Sequence, residues 1–190
     1  YDNNISHCER CDSKVESYIS MQWFVNIKPL ADKAINAVKN KDIKIIPERF
    51  NKTYFEWMEN IVDWCISRQL WWGHRIPAWF CNKCEHITVN METPINCEKC
   101  ESKDIYQDPD VLDTWFSSGL WTHSTLGWPN DTKDLNKFYP STVMETGYDI
   151  LFFWVARMIM LGIENMGKPP FSHIYLHGLI LDPSGLKMSK

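Results

Sequence analysis

The sequence predicts an α/β fold whose strands and helices alternate to build a parallel sheet, carrying a small cysteine-rich insert. Three observations lead there. A strand, turn, helix and strand follow one another between Thr142 and His177, the order of a parallel βαβ unit. Two amphipathic helical stretches precede it. Four cysteines in two close pairs interrupt the chain from Cys81 to Cys100, in a polar stretch too poor in apolar residues to form its own core.

The elements can be read in order along a chain of 190 residues, 44% of them hydrophobic, which is about one domain with a real core. Residues 1 to about 25 are irregular: Cys8-Glu-Arg-Cys11 comes first, then a short apolar segment. Leu30, Ala34, Ile35 and Val38 recur at helical spacing and predict a helix over 29–41. A brief strand over 43–46 is ended by Pro47. Tyr54, Trp57, Met58, Ile61, Trp64 and Cys65 fall on one helical stripe and predict a second helix over 50–66, which makes Cys65 a core residue. Past Gly73 and Pro77, residues 76–80 read as a strand running into Cys81. The segment 111–120 reads as helical and 127–140 as a polar loop. A strand at 142–145, a turn at Gly147, a helix over 150–165 and a strand at 173–177 follow, and a Gly-containing polar loop closes the chain.

Composition limits the function classes. A formal net charge of -4, from 20 Lys and Arg against 24 Asp and Glu, argues against a surface that grips phosphate backbone over its whole extent. Nucleic-acid contact must then be local. The longest apolar-rich stretch, 150–163, carries Arg157 and is too short for a bilayer, so no membrane is expected. Six of the seven Cys form three C-x-x-C pairs. In a sequence without a secretion signal these read as metal ligands in a reducing cytoplasm rather than as disulfides.

The cysteines carry the most specific signal. Cys81-x2-Cys84, twelve residues, then Cys97-x2-Cys100 matches a closed tetrahedral zinc ribbon whose metal stabilises the insert and leaves no open position for substrate. Cys8 and Cys11 form a third pair, either half of a metal site or an unliganded surface pair. Lys187 and Lys190, three apart in a Gly-containing loop, can present two ammonium groups to one polyphosphate, although lysines near a terminus are usually just solvated. Gly147 and Asp149 stand where a parallel strand gives way to a helix, the position at which such sheets bind ligands. Asp149 either holds a ribose or caps the helix. His177-Gly178 ends the next strand at the same level.

Read together, these segments resemble the second half of the Rossmann-like catalytic domain of the class I aminoacyl-tRNA synthetases. Lys187-Met-Ser-Lys190 matches the first four letters of the family's KMSKS loop. Trp64 to Trp79, Asp110-Val-Leu-Asp-Thr-Trp-Phe-Ser-Ser118, Leu126-Gly-Trp-Pro129 and Thr146 to Met158 resemble the valine-specific branch. The isoleucine branch shares several of these segments but typically has Gln where this chain has Ile150; it, the leucine branch and a zinc-ribbon interaction module are the alternatives. The resemblance implies an ATP-dependent ligase that activates valine as its adenylate and passes it to tRNA(Val). It gives Lys187 and Lys190 the leaving phosphates, Gly147 and Asp149 the ribose, His177 and Gly178 the adenosine border, and Trp115, Ile150 and Trp154 the valine pocket. Core packing is the ordinary role for those two Trp. ATP, Mg2+ and Zn2+ are the implied cofactors, in a monomeric parent enzyme. It implies three regions: 1–48 re-entering after an editing insertion, 49–80 with 106–190 forming the second catalytic half, and 81–105 the zinc ribbon. No His lies in a HIGH sequence, so an upstream half is expected, and little adenylate should form on these residues alone.

Overall fold

The computed structural model describes residues 4–188. Its elements in order are β1 (Phe24–Val25), α1 (Lys28–Lys39), β2 (Lys44–Ile46), α2 (Phe50–Glu59), β3 (Trp64–Cys65), β4 (Ser67–Arg68), β5 (Ala78–Cys81), β6 (Ile87–Val89), β7 (Ile105–Gln107), β8 (Val111–Leu112), α3 (Thr114–Ser118), α4 (Trp121–Ser124), α5 (Lys133–Phe138), β9 (Ser141–Gly147), α6 (Arg157–Met166) and β10 (Phe171–His177). A 3-10 turn, Tyr148–Ile150, and a π-helical turn, Leu151–Ala156, join β9 to α6.

The expected βαβ unit is present. β9 and β10 are parallel neighbours, from Phe171 opposite Ser141 to His177 opposite Gly147. β2 adds a third parallel strand beside β10, in the order β2-β10-β9. Alternation of side chains across the strands sorts the faces. Ile45, Met144, Ile174 and Leu176 point into a core with Ala34, Tyr54, Met58, Val155 and Ile159, supplied by α1, α2 and the helix after β9. Val143, Tyr175 and Ile46 point the other way and are exposed. Burying such alternate apolar sets against helices is the main driving force for this layer. α1 and β2, which fall in the 1–48 segment of the sequence reading, pack in this same layer.

Three elements differ from their sequence reading. The second helix stops at Glu59, and Trp64–Cys65 is a strand paired antiparallel with Phe24–Val25. The helical stripe thus ends at Met58, and Cys65 lies half-buried on a strand instead of in a helical core. Asp63 breaks the continuation: its carboxylate accepts the Ile27 amide at 3.1 Å, holding this chain beside the start of α1. Residues 111–120 begin as a strand, β8, paired with β4, and become helical only at Thr114. The polar stretch 127–140 contains α5, begun by the Thr132 hydroxyl accepting the Leu135 amide at 3.0 Å, a side-chain N-cap.

The insert is a three-stranded antiparallel ribbon, β6-β5-β7, matching the expected strand into Cys81. No helix among the described residues is long and apolar enough to cross a membrane.

Candidate nucleotide site and cysteine cluster

The carboxyl ends of β9 and β10 bring four of the sequence-selected residues together. Gly147 and His177 are opposite in the ladder. A Cβ on Gly147 would lie 2.6 Å from Asp149 Oδ1, 3.1 Å from Leu179 and 3.6 Å from His177. Any side chain there would have to displace the Asp149 carboxylate and crowd Leu179, so glycine lets these groups close around the strand end. Asp149 caps no helix: it sits in the 3-10 turn, and its Oδ2 accepts a hydrogen bond from the Lys187 ammonium. His177 Nδ1 lies 2.7 Å from the Gly178 carbonyl. A carbonyl only accepts, so the ring donates there and leaves Nε2 as an acceptor.

The loop that carries Lys187 is held by one carboxylate. Asp182 accepts the Ser184 hydroxyl at 2.6 Å and the Ser184 and Leu186 amides at 2.9 and 2.8 Å. The Ser184 hydroxyl and then the Leu186 amide hold the Asp182 carboxyl below its usual range. Leu181 bridges to Lys187, and the Met188 amide donates to Ile180 at 3.1 Å, folding the loop back so that Lys187 reaches Asp149. Lys190 lies outside the described residues.

Trp115, Ile150 and Trp154 are all half-buried on adjoining elements. The π-helical turn fans its aromatic run apart. Phe152 stacks on Trp57 at 4.7 Å, Phe153 tilts on Trp115 at 6.0 Å, and Trp154 on Trp121 at 6.1 Å. The Trp154 indole donates to the Ser118 carbonyl at 3.2 Å, tying this turn to α3.

Beneath them lies a network that the sequence reading missed. Asp113 is buried and caps α3 by accepting the Trp115 amide at 3.0 Å. Its other oxygen accepts Trp64 Nε1 at 3.1 Å and Arg68 Nη2 at 2.7 Å, with Arg157 Nη1 at 3.9 Å. The Arg157 guanidinium lies 3.8 Å from the centre of the Trp64 ring, a cation–π contact. Burial pulls Arg157 down to about 10, which Asp113 opposes and Arg68 reinforces. The available signal was Arg157 itself: a lone cation in an apolar helix calls for a buried carboxylate.

In the ribbon, Cys81, Cys84, Cys97 and Cys100 place all four sulfurs within 4.8 Å of one another. Two pairs, Cys81 with Cys100 and Cys84 with Cys97, are 3.6 Å apart. Sulfurs about 2.3 Å from a shared tetrahedral zinc would be roughly 3.8 Å apart, so the cluster fits that ion. Each C-x-x-C is one knuckle. The Cys81 and Cys97 amides donate to His86 and Ser102, and the Glu85 and Glu101 amides return to Cys81 and Cys97. Cys8-x2-Cys11 repeats this geometry: the Cys8 amide donates to Ser13, and Asp12 returns to Cys8 with φ 56° against 59° and 57° at Glu85 and Glu101. Hydrogen bonding with Ser13 lowers the exposed Cys11 thiol to about 7. Among the described residues no third ligand joins this pair.

Residues 3–190 match the family model for tRNA synthetases class I (I, L, M and V). The chain is 60% identical to the valine–tRNA ligase of Dehalococcoides mccartyi and 57% to that of Thermotoga maritima, over 190 residues in each case; these are all of this chain and 22% of each relative. The chain thus spans about a fifth of the length of the curated relatives it matches. A solved methionyl-tRNA synthetase of Mycobacterium tuberculosis in complex with methionyl-adenylate superposes with TM-score 0.65 at 19% identity, over 97% of this chain and 31% of that one. The leucyl enzyme of Agrobacterium radiobacter, solved as a ternary complex, gives 0.57 at 24% identity, over 68% of this chain and 21% of that one. These likenesses show the fold, and the match over nearly the whole sequence shows the lineage: the chain belongs to the class I tRNA synthetases of the I, L, M and V group.

Proposed function

We propose that this chain forms the ribose, amino-acid and pyrophosphate side of a site that activates valine with ATP and transfers it to tRNA(Val). The observation that carries this reading is the 60% identity to valine–tRNA ligases along all 190 residues.

The geometry fits the substrates. Gly147 lets Asp149 come close to the strand end, where its carboxylate offers two acceptor oxygens to the sugar hydroxyls. His177 and Gly178 border the adenosine. Lys187, paired with Asp149, would exchange that carboxylate for phosphate oxygens, and Lys190 would add a second ammonium. Trp115, Ile150 and Trp154 would line a small apolar pocket for the valine side chain. The valine carboxylate attacks the α-phosphorus and pyrophosphate leaves, so these residues position groups and neutralise charge and no protein nucleophile is required. Mg2+ would accompany the phosphates of ATP. Cys81, Cys84, Cys97 and Cys100 would hold Zn2+ in a closed structural site, and Cys8 with Cys11 would supply two ligands of another. Cysteine pairs that bind metal in place of disulfides suit a cytoplasmic setting, and we read the active unit as a monomer in three regions: 1–48, 49–80 with 106–190, and the 81–105 ribbon.

The test is ATP–pyrophosphate exchange by the full-length protein. Valine should drive it, and Lys187→Ala or Asp149→Ala should each slow it by about 10²-fold with the fold retained. Exchange driven by isoleucine and not by valine would overturn the assignment.

A further inference from the structure

The hairpin that follows β10 has little apolar packing to hold its shape. Leu181, Leu186 and Met188 are 52%, 67% and 58% exposed, and a short two-stranded hairpin is marginal in water. Asp182 is the only residue of 181–188 that is half-buried rather than exposed. All three of its side-chain hydrogen bonds end on one oxygen. Oδ1 accepts the Ser184 hydroxyl at 2.6 Å, the Ser184 amide at 2.9 Å and the Leu186 amide at 2.8 Å. Its backbone closes the same turn, the Asp182 amide donating to the Leu186 carbonyl at 2.8 Å and the Gly185 amide to the Asp182 carbonyl at 2.9 Å. Gly185, at φ 83°, supplies the left-handed residue that the turn requires.

The turn sets where Lys187 goes. Leu181 and Lys187 face each other across the hairpin, and the Met188 amide donates to the Ile180 carbonyl at 3.1 Å. The root of the hairpin is anchored at the strand ends, where Leu179 lies 3.1 Å from the place that a Cβ on Gly147 would take. Held in this register, Lys187 reaches the Asp149 carboxylate across the site. A lysine side chain gives up much rotamer freedom when it is fixed, and a charge stabilises a transition state most when it is already in place. The ammonium is the acting group. Asp182 Oδ1, on the opposite side of the turn, fixes the backbone from which it projects.

We propose that Asp182 is the positioning residue for Lys187, holding the loop so that the ammonium meets the leaving phosphates. This role rests on the ligase reading above, which gives Lys187 those phosphates. In ATP–pyrophosphate exchange by the full-length protein, Asp182→Ala should lower kcat about tenfold, the effect of leaving about one molecule in ten with the loop in place. KM for valine should stay within about twofold, because Trp115, Ile150 and Trp154 lie on other elements. Asp182→Asn keeps the Oδ1 acceptor while removing the same charge, and should restore kcat to within about threefold of the wild type. In a Lys187→Ala background, Asp182→Ala should cost about threefold or less. The proposal is overturned by an unchanged kcat in Asp182→Ala, by a KM for valine that rises as far as kcat falls, by Asp182→Asn as slow as Asp182→Ala, or by the full loss persisting without Lys187. Exchange driven by isoleucine in place of valine would sink the valine assignment only, and the same variants are then compared with isoleucine. Should no amino acid drive exchange, the ligase reading fails, and calorimetric titration of the protein with inorganic pyrophosphate decides instead. Binding about tenfold weaker in Asp182→Ala than in the wild type and Asp182→Asn supports the positioning of Lys187, and equal binding overturns it.

Discussion

Removing the Asp113 carboxylate should destabilise this chain more than any surface change of charge. Asp113→Ala takes away the α3 cap, about 1 kcal/mol, and leaves the buried Trp64 indole N–H without its acceptor, about 1 kcal/mol more. The Arg68 pair is 39% exposed on the arginine side and adds less than about 1 kcal/mol after solvent screening. The largest loss falls on Arg157, whose side chain is only 10% exposed and would keep its charge with no carboxylate beside it. Breaking a buried pair from one side costs about 3–5 kcal/mol in all, consistent with that sum. For a chain of this size the melting temperature should drop by roughly 6–20 °C. Thermal and urea unfolding followed by circular dichroism at pH 7 would measure it. The charge component is isolated by a double-mutant cycle: with Arg157→Met already in place, Asp113→Asn should cost clearly less than it does in the native background. A loss below about 1 kcal/mol for Asp113→Ala, or an Asp113→Asn cost unchanged by Arg157→Met, would refute the account.

Two further outcomes follow from the same geometry. Protein purified under reducing conditions should carry about one zinc in the four-cysteine cluster, lost in Cys97→Ser and on chelation together with the ribbon's structure; metal analysis that finds none contradicts the site. His123 is fully buried, between the Thr122 hydroxyl at 3.1 Å and the Asn165 amide at 3.0 Å, and burial pushes its pKa below 6.5. The unfolded chain takes up this proton below 6.5 while the folded one resists it, so stability should fall with pH there by up to about 1.4 kcal/mol per unit. His123→Gln should flatten the difference in urea midpoint between pH 7.5 and 5.5; an equal drop in both proteins would clear His123 of the effect.

The elements legible in the sequence are those whose pattern is local. α1 and the helix leading through α6 show apolar spacing over several turns. β9 and β10 alternate across one covered face, and the four ribbon cysteines state their own geometry because each C-x-x-C closes its knuckle within six residues. The convergence of Gly147, Asp149, His177 and Lys187 also follows from order along the chain, once two parallel strands end at one level. α2 misled because Trp64 and Cys65 extend a helical stripe by chance; what decides their state is Phe24 and Val25 in the partner strand and Asp63 on the Ile27 amide, none of which periodicity can register.

By itself the sequence determined the α/β class, the cysteine cluster, the strand-end residues and the family, since each depends on neighbours in the chain or on motifs kept whole. Only the tertiary structure decided that α1 and β2 share the layer of β9 and β10, that Asp113 joins Trp64, Arg68 and Arg157, and that Trp71 and Trp72 stay outside while Trp64 and Trp79 go in. Composition assigns all ten Trp the same preference for burial. Which of them finds a partner depends on contacts between residues tens of positions apart, and those exist only once the chain has folded.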